Sequence, residues 1–366
     1  MNMLDNLVTI ANLFIQQTQI ADIRPFGSGN INDTFRVTLD SSTEQSLILQ
    51  QINTQVFRTP KLVMHNMRVC TEHMRSRLQD FPLDRRWEVP RIFLTKKGQD
   101  HFIDADGNFW RAMSLIEDTE SFDVMGDVER AIEVGYALGT FHNLVSDLLP
   151  ETLSDTLEGF HITPCYLQQY EKVLAKTTPI QTPEANYCLQ FVNDRASWSY
   201  ILEKAKAQGK LPLRLMHGDP KLNNILFDTK TGKAVSLIDL DTVKPGLVQY
   251  DIGDCLRSGC NPAGEETEDW DSVYFETDLC RNILQGYFSV ARAFLTENDY
   301  LYLYDAIRLI AFELGLRFLT DYLAGNVYFK VKYPEHNLAR AIVQFKLTES
   351  IEAQEALISN MIRDSI

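Results

Sequence analysis

Several common protein classes are excluded by what this sequence has little of. Its six cysteines, Cys70, Cys165, Cys188, Cys255, Cys260 and Cys280, show no CxxC spacing and no nearby histidine cluster, so free, reduced thiols are expected and a zinc site is not. Positive charge is in deficit: 35 Lys and Arg against 50 Asp and Glu give a net charge of −15. With no local basic patch to overcome that field, a nucleic-acid or anionic-membrane partner is not expected. A few lysines, backbone amides or a magnesium ion can still neutralise a small bound anion locally, so the charge says little about cofactors. Low-complexity stretches and internal repeats are absent. So is any long uninterrupted apolar run: the most apolar later stretch, Leu301 to Leu323, is broken by Asp305, Arg308, Glu313, Arg317 and Asp321, too many charges for a membrane span. The opening MNMLDNLVTIANLFIQQ carries an acid early and no basic region. It reads as an amphipathic helix, and a cytoplasmic protein is expected.

What is present is ample apolar material. A chain of 366 residues that is 45% hydrophobic and 23% charged exceeds one ordinary core and suits two lobes. Ile23 to Leu39 alternates, with a glycine pair near its start, and Ser46 to Ile52 is a short β-type run. A helical pattern covers about Lys61 to Gln79. Strand-like runs follow at Arg91 to Thr95, His101 to Ile103 and Phe109 to Ile116. From Asp127 the pattern turns helical, with Val128, Ile132, Gly135, Leu138, Phe141 and Val145 as a small or apolar stripe. Another long helix is expected between Ala185 and Ala207. Three short strand-like pieces then interrupt the helices: Leu213 to Met216, Ile225 to Phe227 and Ala234 to Ile238, the last two joined by the turn DTKTGK. The remainder is mostly helical, with breaks near Asn298, Gly325 and Pro334.

The strongest chemical signal is His217-Gly218-Asp219-Pro220-Lys221-Leu222-Asn223-Asn224, of the form H-x-D-x-K-x-x-N. Phosphoryl transfer needs a carboxylate to orient the attacking hydroxyl and accept its proton, and magnesium to neutralise phosphate charge. Asp219 suits the first task. Asn224 can return from the loop as a metal ligand, and Lys221 lies between them, where its ammonium can reach the transferring group. Beyond the hairpin turn comes Ile238-Asp239-Leu240-Asp241, which delivers Asp239 at the end of an apolar strand as the second metal ligand. Asp241 can assist or contact substrate. An isolated H-G-D would be read as a turn or helix cap; the complete set favours chemistry. His217 is expected to be structural.

This segment resembles the catalytic loop of aminoglycoside phosphotransferases and choline kinases. Arg24-Pro25-Phe26-Gly27-Ser28-Gly29-Asn30-Ile31-Asn32, Leu47 to Asn53, Lys221 to Leu226, Ile238 to Thr242, and the late run from Arg317 to Leu338 are similar to bacterial N-acetylhexosamine 1-kinases. The resemblance spans about residues 23 to 346. It implies an α+β, bilobal protein-kinase-like fold, consistent with a β-rich first third followed by helices, with a nucleotide-binding lobe over 1–117 and a catalytic and substrate-binding lobe over 118–366. It further implies ATP and Mg²⁺ as cofactors and an amino sugar as the acceptor. Same-fold kinases of choline, homoserine, methylthioribose or an aminoglycoside, and a nucleotide-binding pseudokinase, are the alternatives.

Within that frame Gly27, Ser28 and Gly29 form either a tight hairpin turn or a loop whose amides cover phosphates. The stretch Met113 to Glu117, with Leu115 and Glu117, would present backbone groups to adenine. Where a strand lysine usually pairs with the α/β-phosphates stands Gln50, which supplies no charge, so no salt bridge to the helix residue Glu72 is possible. Asp251 resembles the aspartate that braces the catalytic loop; as a helix-start cap it is structural. Glu313, Arg317 and Asp321 recur at i, i+4, i+8, either as a salt-bridge ladder or as charges facing a wet cleft, with Arg317 favoured as a sugar or phosphate contact. Tyr328 is either a core residue or a sugar-stacking one. His142 is expected to be packed or capping, and the acidic run from Glu265 to Asp271 to be a solvated loop.

Overall fold

The computed structural model describes residues 3–15, 19–27, 31–40, 46–177 and 182–365. Two units emerge from its packing: Met1–Thr119 together with Glu151–Leu157 and Ile238–Lys244, and a second unit formed by the rest. A single cut along the chain does not anticipate the two short later segments that join the first unit.

In the first unit, α1 (Met3–Phe14) precedes β1 (Ile20–Pro25), β2 (Asp33–Leu39) and β3 (Ser46–Ile52). Next come α2 (Pro60–Asp80), β4 (Ile92–Phe93), β5 (Phe102–Ile103) and β6 (Phe109–Ser114). The sheet runs β1-β2-β3-β6-β4, with β5 also on β6, and every pairing is antiparallel. Strand side chains alternate between faces. Phe35, Val37 and Leu39 of β2 and Leu47 and Leu49 of β3 therefore point one way, into a core with Leu7, Ile10, Ala11 and Phe14 of α1. Ile52 and Phe109 point the other way, against Val63 and Met64 of α2. Gln50 shares this second face by its spacing from Ile52 and lies opposite Arg111 in register.

β7 (Thr119–Glu120) carries the chain onward to α3 (Val128–Val145), α4 (Thr163–Leu174), α5 (Pro183–Arg195) and α6 (Ile201–Ala207). The single helix expected over 185–207 is interrupted by a 3-10 turn, Ala196–Tyr200. Helix α4 was not anticipated, although its Thr163-Pro164 start is a helix-initiation signal, proline being tolerated at the first helical position. The strands β8 (Arg214–Met216), β9 (Ile225–Asp228) and β10 (Ala234–Leu237) follow. β9 and β10 form an antiparallel hairpin in which Leu237 opposes Ile225. β11 (Lys244–Gly246) returns the chain to α7 (Val248–Gly259), α8 (Thr277–Ala291), α9 (Glu297–Leu301), α10 (Leu303–Leu323), α11 (His336–Ala353) and α12 (Glu355–Arg363). Helix α9 starts at a full capping box built by Thr296 and Asp299, beside the break expected near Asn298. α10 is buried around most of its circumference, with Leu309, Ile310, Phe312, Leu316 and Leu319 in the main core of this unit. The six cysteines are unbridged, and among the described residues no helix is long and apolar enough to cross a membrane.

Helices α3 and α8 meet at close range. Gly135 of α3 lies against the backbone of Ile283 and Tyr287, and Gly286 of α8 against that of Ile132 and Tyr136. A Cβ on Gly135 would sit 1.8 Å from the Ile283 oxygen, and one on Gly286 would sit 1.9 Å from the Ile132 oxygen. Glycine at these positions sets the interhelical distance, because the obstacle is backbone and cannot rotate away. Gly286→Ala is therefore expected to force the helices apart and destabilise the protein by roughly 1–3 kcal/mol or more. Thermal unfolding of the variant checks this, and an unchanged midpoint would contradict the packing described.

Candidate active site

The loop from His217 to Asn224 is held from behind by one carboxylate. Asp251, fully buried in the first turn of α7, accepts the backbone N–H of His217 at 2.5 Å and that of Gly218 at 2.8 Å. Its Oδ2 also meets His142 Nε2 at 2.8 Å, and His142 Nδ1 meets the Tyr287 hydroxyl at 2.9 Å. Burial alone would raise the Asp251 pKa. The hydrogen bond and charge of His142, with His217, instead hold it below the usual carboxylate range. His142 lies on α3 and Tyr287 on α8, so the glycine-set contact between those helices positions the brace.

A second strut comes from α10. His161, in left-handed backbone (φ 59°), contacts the Gly218 carbonyl through Nε2 at 2.8 Å and Glu313 Oε1 through Nδ1 at 2.9 Å. Thr163 donates to the other Glu313 oxygen at 2.6 Å. Gly218 itself has φ 88°, a conformation that a side chain would disfavour. Asp219 thus emerges from a backbone fixed on both sides: its N–H donates to His217 Nδ1 at 3.2 Å, and its carbonyl accepts from Asn224 Nδ2 at 2.8 Å.

Asp219, Lys221 and Asn224 are brought together. Lys221 Nζ lies 2.7 Å from Asp219 Oδ2, and Asn224 Nδ2 lies 3.3 Å from that same oxygen. Although burial would raise the Asp219 pKa, the charge and hydrogen bond of Lys221, then His217 and Arg257, keep it below the ordinary carboxylate range. The group stays ionised at neutral pH, which suits orienting a hydroxyl better than removing its proton early. Because the Asn224 nitrogen is turned onto Asp219, these bonds leave its side-chain oxygen uncommitted. Asp239 follows β10 by two residues, as Asn224 precedes β9 by one, and within that hairpin Leu237 opposes Ile225. Asp239 adopts φ 65° and starts a 3-10 turn, Leu240–Thr242.

The other expected residues divide between the units. In the first, Gly27 has φ 78° and open space where a Cβ would stand; Ser28 and Gly29 lie outside the described residues. Leu115 is half-buried between β6 and Glu117. The Glu117 carbonyl accepts from Arg86 at 2.7 Å, and its carboxylate meets Arg36 at 3.4 Å. Gln50 donates to Thr34 Oγ1 at 2.9 Å and accepts from Arg111 at 2.7 and 3.0 Å. Asp241, anticipated as a helper or substrate contact, is buried, and Arg111 and Asn32 occupy its carboxylate. Glu72 instead faces outward, paired with Arg68 at 3.3 Å.

In the second unit, of the two readings of α10, the salt-bridge ladder does not form among the described residues. Glu313 serves His161 and Thr163, and Asp321 accepts the backbone N–H groups of Val327, Tyr328 and Phe329 at 2.8–2.9 Å. Asp321 thereby orders the turn that carries Tyr328, which is 62% exposed and so not a core residue. Arg317 makes no hydrogen bond or ion pair among the described residues; its guanidinium sits 5.4, 5.0 and 5.6 Å from the ring centres of Phe160, Tyr166 and Phe329. Burial pushes the Tyr166 hydroxyl up to about 12. The acidic run is also not simply solvated. Glu265 pairs with Arg257, and Glu266 with Lys332 and Arg340, which holds Glu266 down at about 2. Sequence reasoning missed His161, Arg111, Asn32 and Arg257; the first two are single residues in segments without a motif.

The fold is the aminoglycoside phosphotransferase and choline kinase-like one, bilobal and kinase-like, with β-sheet in the N-terminal part and mostly helix after it. The family model described as "Phosphotransferase enzyme family" matches residues 22–283, and the chain belongs to that family. Solved structures agree on the fold. An aminoglycoside phosphotransferase from Alicyclobacillus acidocaldarius superposes with a TM-score of 0.62 at 16% identity, covering 97% of this chain and 96% of the other. A choline kinase from Cryptosporidium parvum Iowa II gives 0.60 at 13%, covering 98% and 97%. The GDP complex of aminoglycoside 2′-phosphotransferase-IIIa gives 0.54 at 13%, covering all of both chains.

The strut from α10 makes a pH prediction. Burial lowers the His161 pKa, but the hydrogen bond and charge of Glu313 outweigh it and leave the value raised above 6.5. The stability this pair adds is complete below the unfolded histidine pKa of about 6.5 and is lost as pH rises through the folded value. The difference in melting midpoint between wild type and His161→Gln is expected to be largest near pH 6 and to narrow toward pH 9. A constant difference would mean that His161 is neutral in the folded protein.

Proposed function

We propose that the protein transfers the γ-phosphoryl group of ATP to a hydroxyl of a neutral, oxygen-rich acceptor, with the anomeric hydroxyl of an N-acetylhexosamine as the preferred case. Membership of the phosphotransferase family makes it a phosphotransferase; nucleotide, metal and acceptor are the proposed part. The observation that carries the reading is the Asp219 carboxylate, held ionised beside Lys221 on a loop braced from both sides. Asp219 orients the hydroxyl and takes its proton late, as a loose phosphoryl-transfer transition state allows. Lys221 offsets charge on the transferred group. The fold relative with bound GDP supports a nucleotide, assigned to the lobe over 1–117, with Gly27 to Gly29 toward its phosphates and Leu115 and Glu117 toward its base. Catalysis is assigned to 118–366.

Magnesium suits the donors available. Among the described residues no group of three His, Cys, Asp or Glu could hold a metal ion. Mg²⁺ does not need such a cage, since it binds through one or two carboxylates together with phosphate oxygens and water. Asn224, with its amide nitrogen engaged by Asp219, and Asp239 would supply the protein oxygens, and the ion would neutralise the phosphates.

The choice of acceptor rests on Arg317. A partly buried guanidinium with rings around it and no hydrogen-bonded carboxylate among the described residues favours oxygen acceptors on its ligand and repels a cation. Choline and aminoglycosides are cationic; an N-acetylated sugar is not, and the exposed Tyr328 offers a ring for stacking. In a coupled ADP-release assay, N-acetylhexosamines should support turnover and choline should not; the reverse pattern would reject this acceptor. Asp219→Asn is expected to lower kcat by roughly 10²–10⁴ while ATP binding persists. Near-normal turnover in that variant would remove Asp219 from the chemistry.

A further inference from the structure

We infer that Arg111 on β6 takes over the anchoring task of the absent strand lysine, and that Gln50 is the neutral acceptor this relocated cation requires. This rests on the phosphotransferase reading above and deepens it. Arg111 is 1% exposed, yet all five of its N–H donors have partners. Nε donates to Gln50 Oε1 at 3.0 Å. Nη1 donates to Asp241 Oδ1 and, at 3.4 Å, to Met67 Sδ. Nη2 donates to Gln50 Oε1 at 2.7 Å and to Asp241 Oδ2 at 2.9 Å. The pair with Asp241 is two-pronged, the strongest arrangement open to a guanidinium and a carboxylate.

Gln50 fits this environment in a way that lysine could not. Its oxygen takes two Arg111 donors while its nitrogen is used by Thr34. An ammonium here would set donor against donor and place two buried cations side by side. Gln50 is accordingly not a lysine lost from an otherwise unchanged site. The ion pair has moved: its cation stands one strand over, in register with position 50, and its acid is Asp241 rather than a residue of α2.

What the pair anchors is the segment that carries Asp239. Asn32 donates to Asp241 Oδ2 at 2.7 Å, and Asn66 of α2 donates to the Val243 carbonyl at 2.9 Å. Lys244 holds both Asp155 oxygens at 2.9 and 3.0 Å. Arg111 thus tethers the left-handed turn at Asp239 to the sheet through a residue two positions away. With every N–H occupied, it is a positioning residue and leaves the phosphates to other groups.

The test is a charge relocation on the full chain: Arg111→Met, Gln50→Lys, the double variant and Asp241→Asn, each measured for melting midpoint and for the Mg²⁺ concentration giving half-maximal ADP release. Each single variant at 50 or 111 should melt below wild type. The double variant, with one cation again facing Asp241, should melt above both. Arg111→Met, and the milder Asp241→Asn should the former fold poorly, should raise the Mg²⁺ requirement at least fivefold, and the double variant should bring it back toward wild type. A double variant that melts no higher than the worse single, or an unchanged Mg²⁺ requirement in Asp241→Asn, would overturn the inference. If wild type turns over no acceptor, the phosphotransfer reading fails separately, and the melting cycle still decides whether positions 50 and 111 share one charge.

Discussion

The conformation of the His217–Asn224 loop depends on one buried carboxylate. Asp251 satisfies two successive backbone N–H groups that would otherwise be buried without partners, and an unsatisfied buried donor costs roughly 1–3 kcal/mol. A carboxylate can do this only if its own charge is offset, and His142 supplies that offset from α3. The brace is therefore built from three helices: α7 gives the acid, α3 the imidazole and α8 the hydroxyl of Tyr287. Glycines at the α3–α8 contact let the last two approach closely enough. A packing feature remote in sequence from Asp219 thereby fixes where Asp219 stands.

The first unit follows the same physical rule with the charges reversed. There the buried group that could not stand alone is a guanidinium, and Asp241, Gln50 and Met67 surround it. Such pairs are poor sources of net stability, because desolvation offsets most of the Coulomb gain, but losing one partner is strongly destabilising. Their value is registry. In each unit the anchor lies within two residues of the residue of interest, His217 and Gly218 before Asp219 and Asp241 after Asp239, and leaves that residue little freedom.

How much of this was readable in the sequence depended on distance along the chain. The order of elements was legible because it is written in local periodicity, in the alternation of β2 and β3, the stripe on α3 and the turn between β9 and β10, while the fold class came with the resemblance of the catalytic loop. The spacing of Asp219, Lys221 and Asn224 was legible because the loop is one continuous segment. The struts were not, since the partners are 57 residues apart for His161 and Gly218 and 130 apart for Arg111 and Asp241. On α10 the periodicity of Glu313, Arg317 and Asp321 placed them on one face but could not show that each faces a different partner. Glu313 braces a histidine, Asp321 collects three amides from the following turn, and the Arg317 guanidinium sits among three rings. Local pattern gives the face of an element; tertiary packing decides what that face meets.

The charge distribution bears on how so acidic a chain would accept a triphosphate under the proposed reading. Lys221 is already paired with Asp219 and Arg111 is closed off by Asp241, so under that reading Lys221 is shared between Asp219 and the transferred group, and Arg111 does not serve the phosphates. Two like charges 4 Å apart at an effective dielectric near 20 repel by about 4 kcal/mol, close to a thousandfold in affinity. Carboxylates such as Asp239 would therefore disfavour the bare nucleotide and favour the magnesium-bound one. Under that reading the acidity of the chain becomes a selectivity device at this scale, because a site whose cations are already paired with carboxylates would favour phosphates whose charge arrives paired with a metal ion.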